Sequence, residues 1–181
     1  VDANRRASRL IHALDTYERE VLRDRTHPLL GRASLHVAMM SGGTGWSTYA
    51  EDCVVRVERR TLPGEETAGV EQEIAALCEP LREDGLDVHV RLECAQPPLD
   101  TAAQADIVRR LRAACVASSV PDAVDGLWCW TDAALFAAAG IPAVCFGPGD
   151  IARAHSATEW VELDQLHAAE RVLHAVLTAP I

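Results

Sequence analysis

Residues 130–161 read WTDAALFAAAGIPAVCFGPGDIARAHSATEWV, and their reading decides the fold. A short helix comes first, followed by a turn at Gly140 and Pro142, because Gly and Pro are the strongest local breakers. Residues 143–146 are apolar throughout and bounded by turn signals, the pattern of a strand buried on both faces. Such strands belong to sheets layered between helices. A rigid Gly147-Pro148-Gly149 loop follows, so backbone is delivered to the strand's carboxyl end, where open α/β sheets bind their ligands. His155 and Glu159 lie just beyond. A histidine there is a candidate metal ligand or proton carrier. A solvated or capping histidine is the competing reading, because no H-x-D, H-E-x-x-H or Glu-Glu pair lies near it.

Working outward, the spacing predicts helices over 102–117, 132–139 and 163–177 and a second apolar strand over 126–130. Two strands do not make a stable sheet alone, so residues 97–181 read as the last part of a larger α/β domain. Ala95-Gln96-Pro97-Pro98 marks a linker. Before it, the pattern differs. Leu10, Ile11, Leu14, Tyr17 and Val21 recur at helical spacing over 2–25. Residues 33–40 and 53–59 alternate as strands, with a Gly-rich loop at 41–45. A helix opens on Pro63-Gly64-Glu65-Glu66 and runs to 81, its early acids favoured by the helix dipole. Residues 86–92 alternate cleanly as a half-buried strand. Helix, strand, strand, helix, strand is the ferredoxin-like split βαβ order without its first strand, and it occupies residues 1–96.

Composition narrows the function. The chain has 181 residues, 49% of them hydrophobic, and a formal net charge of −10. That charge disfavours nucleic acid or an anionic membrane as partner. No apolar run approaches the ~20 residues of a membrane span, and no signal peptide is visible. All 17 basic residues are Arg, a side chain suited to carboxylates. The six Cys lie in apolar runs without a C-x-x-C pair, which predicts buried, reduced thiols and a cytoplasmic protein. Gly42-Gly43-Thr44-Gly45 lacks the Lys-Ser/Thr of a phosphate loop, and Gly45-Trp46-Ser47 lacks the second Gly of a nucleophile elbow. Arg59-Arg60 ends a strand at a turn, where an Arg either forks onto a carboxylate or joins a surface charge pair.

Two blocks together resemble the dinuclear-zinc amidohydrolases and peptidases that include acetylornithine deacetylase, succinyl-diaminopimelate desuccinylase, aminoacylase and glutamate carboxypeptidase. The first, GGTGWSTYAEDCVVRVERRTLPGEE at 42–66, is similar to the family's lid pattern of Gly-Gly, Asn-x-x-Pro, Asp-x-Arg and Pro-Gly-Glu. Here Ser47, Ala50 and Glu58 stand in place of the Asn, Pro and Asp. The second, within residues 131–161, is similar to the family's Asp, Gly-Ile-Pro, Gly-Pro-Gly and His-x-x-x-Glu block. The resemblance implies an incomplete lid domain followed by the carboxyl-terminal part of a zinc-peptidase catalytic domain. It implies that His155 is a zinc ligand, the last in chain order. Arg60 would bind the substrate's α-carboxylate, with Ser47, Gly147, Gly149 and Thr131 around the substrate and Glu159 structural. The family's general base and other ligands precede its lid, so no catalytic residue is expected here and the chain alone is expected to be inactive. The expected activity of the complete enzyme is hydrolysis of an N-acyl amino acid or small peptide by metal-bound water, with homodimerisation through the lid. The alternative is a non-catalytic dimerisation or binding module built from the lid fold.

Overall fold

The computed structural model describes residues 2–179, which fall into two compact units, one ending at Pro98 and the other starting at Leu99. Their helices and small antiparallel ladders are of the expected α/β class.

In the first unit, α1 (Ala3–Glu20) starts where the Asp2 carboxylate accepts the Arg5 N–H at 3.3 Å, satisfying a donor the helix leaves open. It stops at Glu20 and tightens into a 3₁₀ turn, Leu22–Asp24. The tightening changes the phase of the apolar stripe. Val21, expected on the buried face, is exposed, and Leu22 is the residue sealed from solvent. A short hairpin not foreseen from periodicity, β1 (Thr26–His27) with β2 (Gly31–Arg32), leads into β3 (Ser34–Gly42). β3 pairs antiparallel with β4 (Cys53–Arg60), with an irregularity between Val37 and Met39. α2 (Thr67–Glu83) follows. Leu14, Leu22, Ala33, Leu35 and Leu62 form the core, with Leu10, Tyr17, Ile74 and Leu77 packed against it. The loop between β3 and β4 is tied at both ends to the first turn of α1. The Asn4 amide donates to the Gly42 carbonyl at 3.1 Å, and the Ala3 N–H donates to the Ala50 carbonyl at 3.0 Å.

Two further expectations for this unit need correction. Helix α2 starts at Thr67, not at residue 63, because Gly64 adopts φ +88°, a left-handed conformation that breaks helical phase. Residues 86–92 carry strand alternation but form no ladder with any described strand. In a split βαβ sheet the parallel strands of one unit are separated by another strand, and no described strand stands there. Leu86 is buried, while Val90 and Leu92 are exposed. The Val88 carbonyl accepts from Arg82 Nε at 3.0 Å instead of from a neighbouring strand.

In the second unit, α3 (Asp106–Ala117) packs on α5 (Leu163–Thr178) through Ala114, Cys115 and Val172, with Leu111, Phe146 and Val176 alongside. Arg110 donates to the Val176 and Ala179 carbonyls at 3.3 and 3.2 Å, satisfying acceptors at the α5 terminus that the helix leaves open. A short α4 (Ala133–Ala138) lies between. The expected strands 126–130 and 143–146 have no ladder partner among the described residues. One acceptor there is met by a side chain distant in sequence: Thr101 Oγ1 donates to the Ala143 carbonyl at 2.5 Å. The same cause corrects the cysteine expectation. Cys94, Cys129 and Cys145 sit in or beside these unpaired segments and are exposed, whereas Cys78 and Cys115 are buried. Burial pushes both buried thiols up from their ordinary range, which leaves them unreactive. No described helix is long and apolar enough to cross a membrane.

Candidate functional site

The loop between residue 146 and α5 carries most of the residues singled out in the second unit. Gly149 adopts φ +95°, and a Cβ built on it would lie 3.4 Å from Val161 Cγ2. Its N–H donates to Gln165 Oε1 at 2.8 Å, pinning the loop to the first turn of α5. The left-handed conformation selects glycine, so Gly149→Ala is expected to cost on the order of 1–2 kcal/mol, read as a lowered urea midpoint. Gly147 is different: a Cβ there would meet nothing within 4 Å. Asp150 accepts the Ala152 N–H at 2.9 Å and starts a 3₁₀ turn, Ile151–Arg153. The Arg153 guanidinium lies 4.0 Å from the Trp160 ring centroid, a cation–π contact that closes the loop across its middle. Between Gly149, Arg153, Trp160 and Gln165 lies a cavity of 190 Å³. That is smaller than the roughly 300 Å³ at which small-molecule sites begin, so it does not hold a substrate by itself.

His155 is exposed and follows the 3₁₀ turn. It is one of two described non-glycine residues at positive φ, at 61°, a conformation costing on the order of 1–2 kcal/mol for a side chain with a Cβ. Its backbone N–H donates to Glu159 Oε2 at 3.1 Å. Thr131, at the entrance to α4, has its Oγ1 3.1 Å from Cys145 Sγ. It thereby ties the start of that helix to residues 143–146.

In the first unit, strand alternation separates the two arginines that end β4. Arg59 turns inward: its side chain is 7% exposed and pairs with Glu65. Glu65 also accepts from Arg25 at 3.0 Å and from the Leu62 N–H at 2.7 Å. Arg25 continues to Glu73 at 2.7 Å, and the Tyr17 hydroxyl bonds the same carboxylate. Burial favours the neutral form of Glu65, but the Leu62 N–H and the two guanidiniums outweigh it and hold the carboxyl below its usual range. Burial and the Glu73 contact push the Tyr17 hydroxyl up. Arg60 turns outward. It stands opposite Ser34, is half-exposed, and places Nε 2.6 Å from Glu58 Oε1. Arg60 therefore already holds a carboxylate in water, and Arg59 is committed to the interior. Ser47 is exposed in the loop before β4, roughly 20 Å of strand from Arg60, so the two do not share a contact.

Among the described residues, no three His, Cys, Asp or Glu side chains come together to hold a metal ion. His155 on its own is one exposed imidazole, and one imidazole does not fit a zinc centre, which needs three or four protein ligands. The sequence reading missed Gln165, Arg153 and Trp160. The only local signal was a polar first-turn residue on α5 and an Arg–Trp pair seven residues apart. It also missed the cluster of Arg25, Glu65 and Glu73.

The family model described as Peptidase family M20/M25/M40 matches residues 16–179. N-acetyl-L-citrulline deacetylase of Xanthomonas campestris pv. campestris is 32% identical over 136 residues, covering 72% of this chain and 35% of that protein. Acetylornithine deacetylase of Myxococcus xanthus is 30% identical over 173 residues, covering 94% of this chain and 44% of that protein. The chain thus spans less than half the length of these curated relatives.

Proposed function

The chain belongs to peptidase family M20/M25/M40, and from that premise we propose that it is part of a hydrolase that cleaves the amide bond of N-acyl amino acids or small peptides. Both relatives carry deacetylase names, which supports amide hydrolysis as the reaction class. The outward turn of Arg60 carries the substrate class. A half-exposed guanidinium that already pairs with Glu58 is suited to a substrate's free carboxylate, while Arg59 beneath it is fixed by Glu65. The substrate carboxylate has to share Arg60 with Glu58 or displace it. In this reading His155 contributes one of several zinc ligands of the whole protein, Gly147 and Gly149 meet the substrate through their backbone, and Thr131 steadies residues 143–146. The 181-residue chain alone releases no acid. Two copies pair through the first unit in the same proposal; a strictly monomeric chain on sizing would overturn that part.

The test uses the protein that carries this chain, assayed on N-acetyl amino acids and on the matching carboxamides. Hydrolysis of the acids is expected, with Arg60→Ala raising KM about tenfold and Arg60→Lys recovering part of it, the scale of one lost charged hydrogen-bond pair. The carboxamide should be insensitive to the substitution. Absence of amide hydrolysis on every N-acyl amino acid, or an unchanged KM in the Arg60→Ala variant, would overturn the reading.

A further inference from the structure

We propose that Glu159 is a positioning residue: its carboxylate holds the His155 backbone N–H and thereby fixes the direction in which the imidazole leaves the loop. This rests on the reading of His155 as the functional imidazole, but the contact itself is independent of that reading. His155 sits at φ 61°, a region that side chains with a Cβ leave unless their surroundings hold them. Extended backbone is the alternative, and adopting it would swing Cβ, and the ring with it, to another side of the loop. What opposes that release is the hydrogen bond from the His155 N–H to Glu159 Oε2, 3.1 Å long and four residues away. The acceptor is a carboxylate, which makes the bond charge-assisted.

The rest of the loop makes the carboxylate a fixed point. Trp160, next to Glu159, is stacked under the Arg153 guanidinium. Val161 lies against Gly149, and Gly149 is bonded to Gln165 of α5. Residues 159–161 are therefore anchored to the body of the second unit, and Glu159 transmits that anchorage to His155. An exposed ring on a strained, unsupported backbone would sample several directions. Held at its own N–H, the residue keeps one direction for its Cα–Cβ bond, which is the backbone share of the preorganisation that a functional imidazole requires.

The experiment uses the protein that carries this chain, followed by NMR at the residue-155 backbone. Glu159→Ala is expected to speed exchange of the 155 amide about tenfold and to move its coupling constant toward the extended value, as loss of a charge-assisted bond implies. Glu159→Gln keeps an acceptor oxygen and should restore most of both. His155→Ala should leave the amide protected, because Glu159 grips backbone and not ring. The 155 Hα and Hβ shifts should move away from their left-handed values in Glu159→Ala and stay put in Glu159→Gln. A Glu159→Ala variant whose 155 amide stays as protected as in the native chain would overturn the proposal. If Glu159→Ala frees the amide but His155→Ala leaves amide hydrolysis by the whole protein unchanged, the functional reading of His155 falls while the backbone grip stands. The overall dispersion of the spectrum reports whether each variant is folded, so a collapsed variant is not mistaken for a released loop.

Discussion

Replacing Leu22 with Ala should remove about 3–4 kcal/mol of stability from the first unit, the upper part of the range for a fully buried leucine. Leu22 is 0% exposed and lies in the core with Leu14, Ala33, Leu35 and Leu62. Its backbone sits in a 3₁₀ turn whose carbonyl takes the Arg25 N–H at 3.1 Å, so the main chain has little freedom to collapse into the space left behind. The loss therefore contains both the transfer free energy of the missing carbons and the residual cavity. Urea unfolding followed by circular dichroism measures it. Val21→Ala, one residue earlier and 42% exposed, should cost well under about 1 kcal/mol. Equal effects at 21 and 22 would mean that the stripe of α1 continues unbroken and that the turn does not reset its phase.

The second large effect is expected at Glu65. Its side chain is 16% exposed and bridges the guanidiniums of Arg59 and Arg25 while accepting the Leu62 N–H. Glu65→Ala removes the carboxylate partner of a nearly buried Arg59 and should cost about 2–3 kcal/mol, somewhat below the full value for breaking a buried pair because water still reaches the site. Glu65→Gln should recover part of the loss through the Leu62 bond. The pH dependence has a definite sign. The folded carboxyl titrates below its ordinary value, so the stabilisation is fully present above the unfolded value of about 4.3. It is lost as pH falls through the lower folded value. The native chain should accordingly show a steeper acid loss of stability than the Glu65→Ala variant, whose curve should be flatter across that window. Parallel curves would place the carboxylate outside the folding equilibrium.

The amphipathic helices were legible because their signal is local: an apolar residue every three or four positions is already the buried face. The β3–β4 pair was legible for a related reason, since alternation and a Gly-rich loop specify two neighbouring strands. Residues 86–92, 126–130 and 143–146 were not, because a strand is a relation between segments. Alternation at Leu86, Val88, Val90 and Leu92 states which side chains seek burial and is silent about which backbone they join. The site divides in the same way. That one of Arg59 and Arg60 faces inward follows from strand alternation, but which one depends on Glu65, and Glu65 meets Arg25 across forty positions of chain. His155 is legible as a residue and not as a conformation, since no local pattern announces a left-handed histidine.

Anchoring both ends of the β3–β4 connection to a single helical turn has a kinetic consequence. The bonds from Asn4 to Gly42 and from Ala3 to Ala50 cannot break separately without leaving the other to hold the same turn in place. Fraying of the leading turn of α1 and opening of the segment that carries Ser47 are thus one excursion, with one opening free energy. In native-state exchange their amides should lose protection together, and a brace placed on either would quieten both.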